Sequence, residues 1–361
     1  MKIILIGCGW AGSSFLKNIN SEKYDVTLIS LNSNFIYTPY IVDSIFKEKN
    51  INYDARKLNK FNYIEGNVND INFEENKISL FSSQMGSKEI KYDYLVLAHG
   101  SSTNTFNIPG VDENCLFLKD NNDLDLIKEK LKNLKFNSNI AVIGCGLTGS
   151  DLIGNLIDYK KFNIYAIDGL KLPLSTFNNY ISNSVIDLWK NNNVNLLFNN
   201  FVKKLDNKKI YFKDKEINYD LVFWCGGIKP SKLSLNINKK LFLNCKFGIP
   251  VNKYLLVNNT KNVYAIGDCG YNKNPQTAQV AYQEGEYLAK NFNKDILNQK
   301  PFTFSNKGQI SYVGDGKSVY QNNYFYGHGK IYTLIGNFIN IYNAISFDQS
   351  LLFLKNMIRK D

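Results

Sequence analysis

Gly7-Cys8-Gly9-Trp10-Ala11-Gly12 decides the fold, because it follows the apolar run Lys2-Ile3-Ile4-Leu5-Ile6 and opens a predicted helix. In that context the glycines permit a tight turn and a close backbone approach. A pyrophosphate can then rest on the amides at the helix start. One such pattern is a weak signal. A second, Gly144-Cys145-Gly146-Leu147-Thr148-Gly149, follows the run Ile140-Ala141-Val142-Ile143 in the same register. Two fingerprints, each with its own strand–helix–strand unit, mark a chain that binds two dinucleotides at once.

Working outward, the sequence divides around these loops into an α/β protein with two Rossmann-like dinucleotide-binding domains. Residues 1–107 form a first unit, with further strands expected at Tyr24–Ile29, Lys77–Phe81 and Tyr92–Ala98. Residues 108–244 form a second, nested unit, with strands at Asn163–Ile167 and Leu221–Trp224. From 245 to 296 the chain returns to the first unit through the strand Asn262–Ile266 and the turn Gly267-Asp268. The first unit is thus discontinuous. Residues 297–361 are aromatic and basic and carry no dinucleotide signal.

The 361 residues suffice for two or three domains, and 44% hydrophobic content argues for a folded core. The net charge of +11 comes almost wholly from lysine, since Arg56 and Arg359 are the only arginines. An AT-rich coding bias accounts for that charge as well as attraction to an anionic membrane does, at about 1 kcal/mol per well-placed lysine. Nucleic-acid binding is not expected, for no recognition module accompanies the charge. The first strand begins at residue 2, which leaves no room for a signal peptide, and no apolar run is long enough to span a bilayer. The six scattered cysteines lack metal-like or CxxC spacing, and the histidines His99 and His328 offer no metal site. An intracellular, reducing compartment is the expected home, either in the cytoplasm or peripheral on a membrane surface.

An acidic residue about 20 positions beyond a glycine loop binds the adenosine ribose. Asp168 fills that place in the second unit; it would repel a 2′-phosphate and so favour NADH, although Lys171 nearby could pair with one. In the first unit the place is taken by Ser30. A neutral hydroxyl there suits an FAD held by many contacts better than an exchanging nicotinamide. Asp268, after a strand, is placed to bond a flavin ribityl chain, and Thr277 is a plausible N-cap for the helix that follows. That helix N-terminus, aimed at the flavin N1–C2=O edge, would stabilise a reduced anionic flavin.

Beyond the glycine loops, several stretches resemble the type II NADH:quinone oxidoreductases. They are Phe35-Ile36-Tyr37-Thr38-Pro39-Tyr40, Asn104 to Val111, Cys115 to Lys119 and Trp224 to Pro230. Ala265 to Cys269 and Thr277 to Ala289 continue the likeness. The resemblance implies a flavoprotein that passes hydride from NADH to flavin N5 and then two electrons to a quinone, without pumping protons. It places Thr38 and Pro39 beside the flavin ring and Gln279 and Gln283 at the quinone headgroup. It also implies cofactor contacts at Gly7, Gly9, Trp10, Ala11, Gly12, Ser30, Val68, Gly100, Gly267, Asp268 and Ala278 for FAD. For NADH it implies Gly144, Gly146, Leu147, Thr148, Gly149, Asp151, Asp168 and Gly227. Asp151 is one methylene shorter than the family's glutamate, and His99 stands where a small or β-branched residue is usual.

The family meets the membrane through its C-terminal region, which is short here. Phe347, Leu351, Leu354 and Ile358 follow helical spacing, with Lys355, Arg359 and Lys360 on other faces. That pattern suits a lipid interface, a docking contact on the protein or a homodimer interface. Disulphide reduction is disfavoured, because no cysteine lies between Cys8 and Cys115. A soluble NADH-dependent flavin reductase or oxidase with another acceptor stays open. So does a slow redox signalling flavoprotein of the apoptosis-inducing-factor type.

Overall fold

The computed structural model describes residues 1–47, 49–292, 294, 299–342 and 350. A five-stranded parallel sheet runs in the order Val263–Ala265, Tyr94–Leu97, Lys2–Ile6, Asp25–Ser30, Asn62–Glu65. Ile3, Ile4 and Leu5 of its central strand are fully buried, as expected of a strand covered on both faces. Each such side chain contributes about 1.5–3 kcal/mol of transfer free energy. A second, four-stranded parallel sheet has the order Asn195–Leu197, Asn163–Ile167, Asn139–Ile143, Leu221–Trp224. One edge strand of each sheet, Asn62–Glu65 or Asn195–Leu197, leads into a three-stranded antiparallel sheet. In the first unit this is Asn67–Asn72, Lys77–Ser82 and Gly86–Lys91; in the second it is Lys204–Leu205, Lys209–Tyr211 and Glu216–Asn218. The duplication seen in the glycine loops therefore extends through the whole unit.

The chain crosses between the units on two antiparallel strands, Ser101–Thr103 and Ile228–Pro230. Trp224 Nε1 donates to Asn104 O at 2.8 Å beside this crossing, which explains the tryptophan in the closing motif. Before residue 245, helix Lys232–Lys240 buries Ile237 in the core under the first sheet, with Leu233 and Leu241 packed against it.

The C-terminal region forms an antiparallel sheet, Gln309–Gly314, Lys317–Gln321 and Tyr326–Gly329, followed by helix Lys330–Tyr342. The amphipathic pattern expected from Phe347 to Lys360 lies outside the described residues. Strand Gln309–Gly314 docks on helix Leu147–Tyr159 of the second unit at Gly154, where a β-carbon would come within 2.6 Å of Gly314 N. Trp189 Nε1 donates to Val313 O at 3.1 Å and fixes the same strand from a second helix.

Helix Trp10–Asn18 crosses helix Ala278–Asn291 at Gly285, where a β-carbon would overlap Ala11 O and approach Phe15 N to 2.9 Å. Both neighbours are backbone and cannot rotate away. Gly285→Ala is therefore expected to destabilise the protein by about 1–3 kcal/mol. Gly86→Ala serves as a control at an open position, although its φ of +68° carries its own smaller strain. Thermal midpoints of the two variants test this, and equal small losses would show that the helices are not held this close.

Candidate active site

The two glycine loops repeat one geometry. Gly7 N donates to Ile29 O at 2.9 Å, and Gly144 N donates to Ile167 O at 2.8 Å. Gly7 (φ +103°) lies against Ala98 and His99, and Gly144 (φ +95°) lies against Cys225. Gly12 and Gly149 close over the carbonyls of Gly7 and Gly144, so a β-carbon at either would collide with backbone. Gly9 and Gly146, by contrast, face open space and leave the helix N-termini approachable. Helices Asn121–Asn133, Asn179–Asn191, Lys232–Lys240 and Ala278–Asn291 are capped by the side chains of Asp120, Asn178, Ser231 and Thr277. The helices Trp10–Asn18 and Leu147–Tyr159 have no side-chain cap and no acid in the first turn. Their first amides, those of Trp10, Ala11, Leu147 and Thr148 among them, suit an anionic diphosphate. The residues present thus fit two dinucleotides.

In the first unit Ser30 ends its strand with its hydroxyl donated to Asn32 O, inside its own turn. Val68 is buried on the strand after Gly66. Gly100 (φ +70°) and Gly267 (φ +68°) take left-handed turns that glycine adopts without strain. Asp268 Oδ2 accepts from Ser101 Oγ at 3.2 Å, and burial raises the Asp268 carboxyl above the usual range. Sequence reasoning assigned no role to Glu284. Its Oε2 accepts from Gly267 N at 2.6 Å and its Oε1 from Asn272 Nδ2 at 2.8 Å. Burial pushes its carboxyl up to about 7 despite these donors. Glu284 thereby fixes the Gly267-Asp268 turn from the helix behind it. His99, the unusual residue of its turn, points at helix Lys232–Lys240, with Nε2 2.9 Å from Ser234 Oγ. Burial lowers its pKa to about 4, so the ring is neutral.

Thr38 and Pro39 lie in a 3-10 turn, Thr38–Tyr40. Trp10 Nε1 donates to Thr38 Oγ1 at 2.8 Å, and the indole packs edge-on to Phe35 at 5.0 Å and near Tyr37 at 5.1 Å. Trp10 also reaches Tyr282 at 6.5 Å, so the aromatic segment, the first glycine loop and helix Ala278–Asn291 share one wall. Tyr37 OH bonds Asn340, donating to its carbonyl at 3.0 Å, and so ties this wall to the C-terminal helix.

Gln279 and Gln283 follow Ala278 on the helix capped by Thr277. Neither amide faces solvent alone. Gln279 donates to Gly308 O and accepts from Lys307 N, each at 2.9 Å. Gln283 donates to Ser305 O and accepts from Ser305 N, each at 2.9 Å. The two side chains, one helical turn apart, thus pair with the extended segment 305–308 as a neighbouring strand would.

In the second unit Asp168 uses both oxygens to order the loop. Oδ2 accepts from Cys145 N at 2.7 Å and Oδ1 from Leu170 N at 2.8 Å. Asp151 Oδ1 accepts from Ser311 Oγ and from Tyr312 N, both at 2.7 Å. The carboxylate one methylene short of the family's glutamate is therefore met by the C-terminal strand. Burial raises its pKa to about 7, opposed by those two donors. Gly227 (φ +105°) is open to an approaching ligand. Nothing near Asp151 in sequence announced Ser311 and Tyr312 as its partners.

Comparison with known proteins agrees with this geometry. The family model described as pyridine nucleotide-disulphide oxidoreductase matches residues 1–285. A Dictyostelium discoideum protein named a probable NADH dehydrogenase is 32% identical, over 90% of this chain and 81% of its own. An Arabidopsis thaliana mitochondrial external alternative NAD(P)H-ubiquinone oxidoreductase, B2, is 28% identical over 74% of this chain, which spans about half (54%) of that relative. The solved structure of NDH2 from Plasmodium falciparum in complex with NADH superposes with a TM-score of 0.92 at 24% identity, covering 99% of this chain and 97% of that one. The chain belongs to the pyridine nucleotide-disulphide oxidoreductase family, in the branch of the type II NADH dehydrogenases.

Proposed function

We propose that this chain is an FAD-dependent NADH:quinone oxidoreductase that does not pump protons. The observation that carries the reading is a pair of uncapped glycine-loop helices in one chain, each fit for a dinucleotide diphosphate. Hydride acceptance from NADH and two-electron delivery to a quinone are the chemistry that bound FAD supplies. The protein contributes placement and electrostatics. Residues 1–107 and 245–296 make the FAD-binding unit, joined by helix Lys232–Lys240 from the end of the nested NADH-binding unit 108–244. Gly7, Gly9, Trp10, Ala11 and Gly12 hold the FAD diphosphate, with Ser30, Val68 and Gly100 completing its adenosine side. Asp268, fixed through Ser101 and Glu284, takes the ribityl hydroxyls. The amide of Ala278 at the helix start favours negative charge at the flavin.

Gly144, Gly146, Leu147, Thr148 and Gly149 bind the NADH diphosphate, Asp168 the ribose, and Gly227 gives room at the nicotinamide end. Asp151 Oδ1 is held by the C-terminal strand, and burial raises its carboxyl to about 7, so Oδ2 takes up a proton as the pH falls through neutrality. Thr38 and Pro39, braced by Trp10, form the wall for the ring and the acceptor. Gln279 and Gln283 each keep one N–H beyond segment 305–308, and these donate to the quinone carbonyls. Among the described residues no helix is long and apolar enough to cross a membrane. Ile331, Leu334 and Phe338 of helix Lys330–Tyr342 are each more than half exposed, and Tyr324 on the neighbouring hairpin is 92% exposed. An apolar helix face beside exposed tyrosine suits the surface of a bilayer, where a quinone dissolves.

Anaerobic titration of the purified protein with NADH, then with a soluble ubiquinone, is the direct test. Bleaching of the flavin band by NADH and its full return on adding quinone is the expected result; bleaching without return would assign another acceptor. For the membrane contact, Leu334→Glu with Phe338→Glu is expected to cut co-sedimentation with phosphatidylglycerol-containing vesicles at least tenfold, from the loss of about 1.5–3 kcal/mol per side chain. Oxidation of NADH by soluble quinone should not change. Retained vesicle binding would put the contact elsewhere, and loss of self-association in its place would make this face a homodimer interface.

Asp151→Asn keeps an acceptor for Ser311 and Tyr312 while removing a titrating group. The wild-type carboxyl binds its proton more tightly folded than unfolded. Its stabilising contribution is therefore complete below pH about 4, the unfolded value. That contribution is lost as pH rises through about 7. The thermal midpoint of the variant should gain on the wild type from pH 4 to pH 8, and a constant difference would show that Asp151 does not titrate at the raised value.

A further inference from the structure

Phe201 is 66% exposed, yet its position is fixed. The turn before it folds back on the end of strand Asn163–Ile167. Asn199 N donates to Leu170 O and Asn200 N to Asp168 O, both at 3.0 Å. Asn199 takes a left-handed conformation (φ 56°) to make this reversal. Val202, the next residue, is buried in the core beside Ile143 and Ile167. The Phe201 ring is consequently laid across Gly169, where a β-carbon would sit 2.5 Å from ring atom Cε1. Leu170, 51% exposed, flanks the same turn. An aromatic ring anchored on both sides and left with an open face contributes little to the fold, but it can cover a flat apolar ligand.

Its location says which ligand. The ring lies beyond the carboxyl ends of strands Asn163–Ile167 and Asn195–Leu197, the edge at which open parallel sheets bind dinucleotides. It adjoins Asp168, which orders the Gly144–Gly149 loop through Cys145 N. The internal repeat points the same way. Val68 and Val202 are both buried where an outer parallel strand passes into its antiparallel sheet, so residue 201 matches the position just before Val68 in the FAD unit. We infer that Phe201 is the seat for the adenine ring of the dinucleotide bound by the second unit, stacked on the ring face turned away from Gly169. This rests on the reading that the second unit binds NADH. Phe201 is a positioning residue: it holds the far end of NADH and so sets affinity, without touching the atoms that react.

The test uses the flavin-loaded full-length chain. Calorimetric titration with ADP-ribose measures the adenine half, and titration with reduced nicotinamide mononucleotide in single-turnover flavin bleaching measures the half that lacks adenine. Phe201→Ala is expected to weaken ADP-ribose and NADH about 5- to 100-fold, the range for loss of one base–aromatic stack. Reduced nicotinamide mononucleotide should act on both proteins alike, and Phe201→Trp should restore the wild-type affinities. Equal ADP-ribose affinity in wild type and Phe201→Ala would overturn the assignment while leaving NADH binding intact. A wild type that takes up neither NADH nor ADP-ribose would overturn the NADH reading itself, and this inference with it.

Discussion

The approach of helix Ala278–Asn291 to helix Trp10–Asn18 at Gly285 sets the geometry on which the rest depends. Only a residue without a side chain lets the second helix rest on the backbone of Ala11 and Phe15. That contact fixes where Ala278, Gln279 and Gln283 stand relative to the first glycine loop. It also lets Glu284, the neighbouring residue, reach Gly267 N and so hold Asp268. Trp10 completes the arrangement by bracing Thr38. One close contact between two helices thus aligns the first glycine loop, the Asp268 turn and the Thr38 wall.

The C-terminal segment binds these parts to the second unit. Segment 305–308 pairs with Gln279 and Gln283, and the strand that continues it meets Asp151 through Ser311 and Tyr312. One short run of backbone therefore touches helix Ala278–Asn291 of the first unit and helix Leu147–Tyr159 behind the second glycine loop. Asp151, half-buried, shares with the buried Glu284 of the first unit a carboxyl raised to about 7 and satisfied by two donors. A buried carboxylate without those donors would cost several kcal/mol.

Much of the frame was legible because it is written in local signals. The buried runs ending at Ile6 and Ile143, with glycine loops after them, identify strand, turn and helix together. The place of Asp168 at the end of its strand was legible from spacing, and the Thr277 cap from its residue type at a helix start. Other features depend on partners far along the chain and left no local mark. Asp151 and Tyr312 meet across 161 positions, and the glutamines meet bare backbone, which has no side-chain signature. The C-terminal hairpin is a different matter. Val313-Gly314-Asp315-Gly316-Lys317-Ser318-Val319 places Asp-Gly between two alternating runs, and Asp315 (φ 58°) and Gly316 (φ 69°) make the left-handed pair such a turn requires. That local signal stands amid an aromatic composition that masks it. Helix Lys232–Lys240 leaves a weak mark in the sequence for a related reason, since Ile237 is its sole fully buried large apolar side chain.

The pairing of Val263–Ala265 with Tyr94–Leu97 has a consequence for synthesis. All four strands of the second sheet lie between residues 139 and 224, whereas the first sheet takes its last strand from beyond residue 262. During translation at about 5–20 residues per second, the inserted unit leaves the ribosome whole while its host still lacks a strand. The host must therefore close around an insert whose sheet is complete, with strands Tyr94–Leu97 and Val263–Ala265 brought together late. The order of assembly is the reverse of the order in which the two glycine loops occur along the chain.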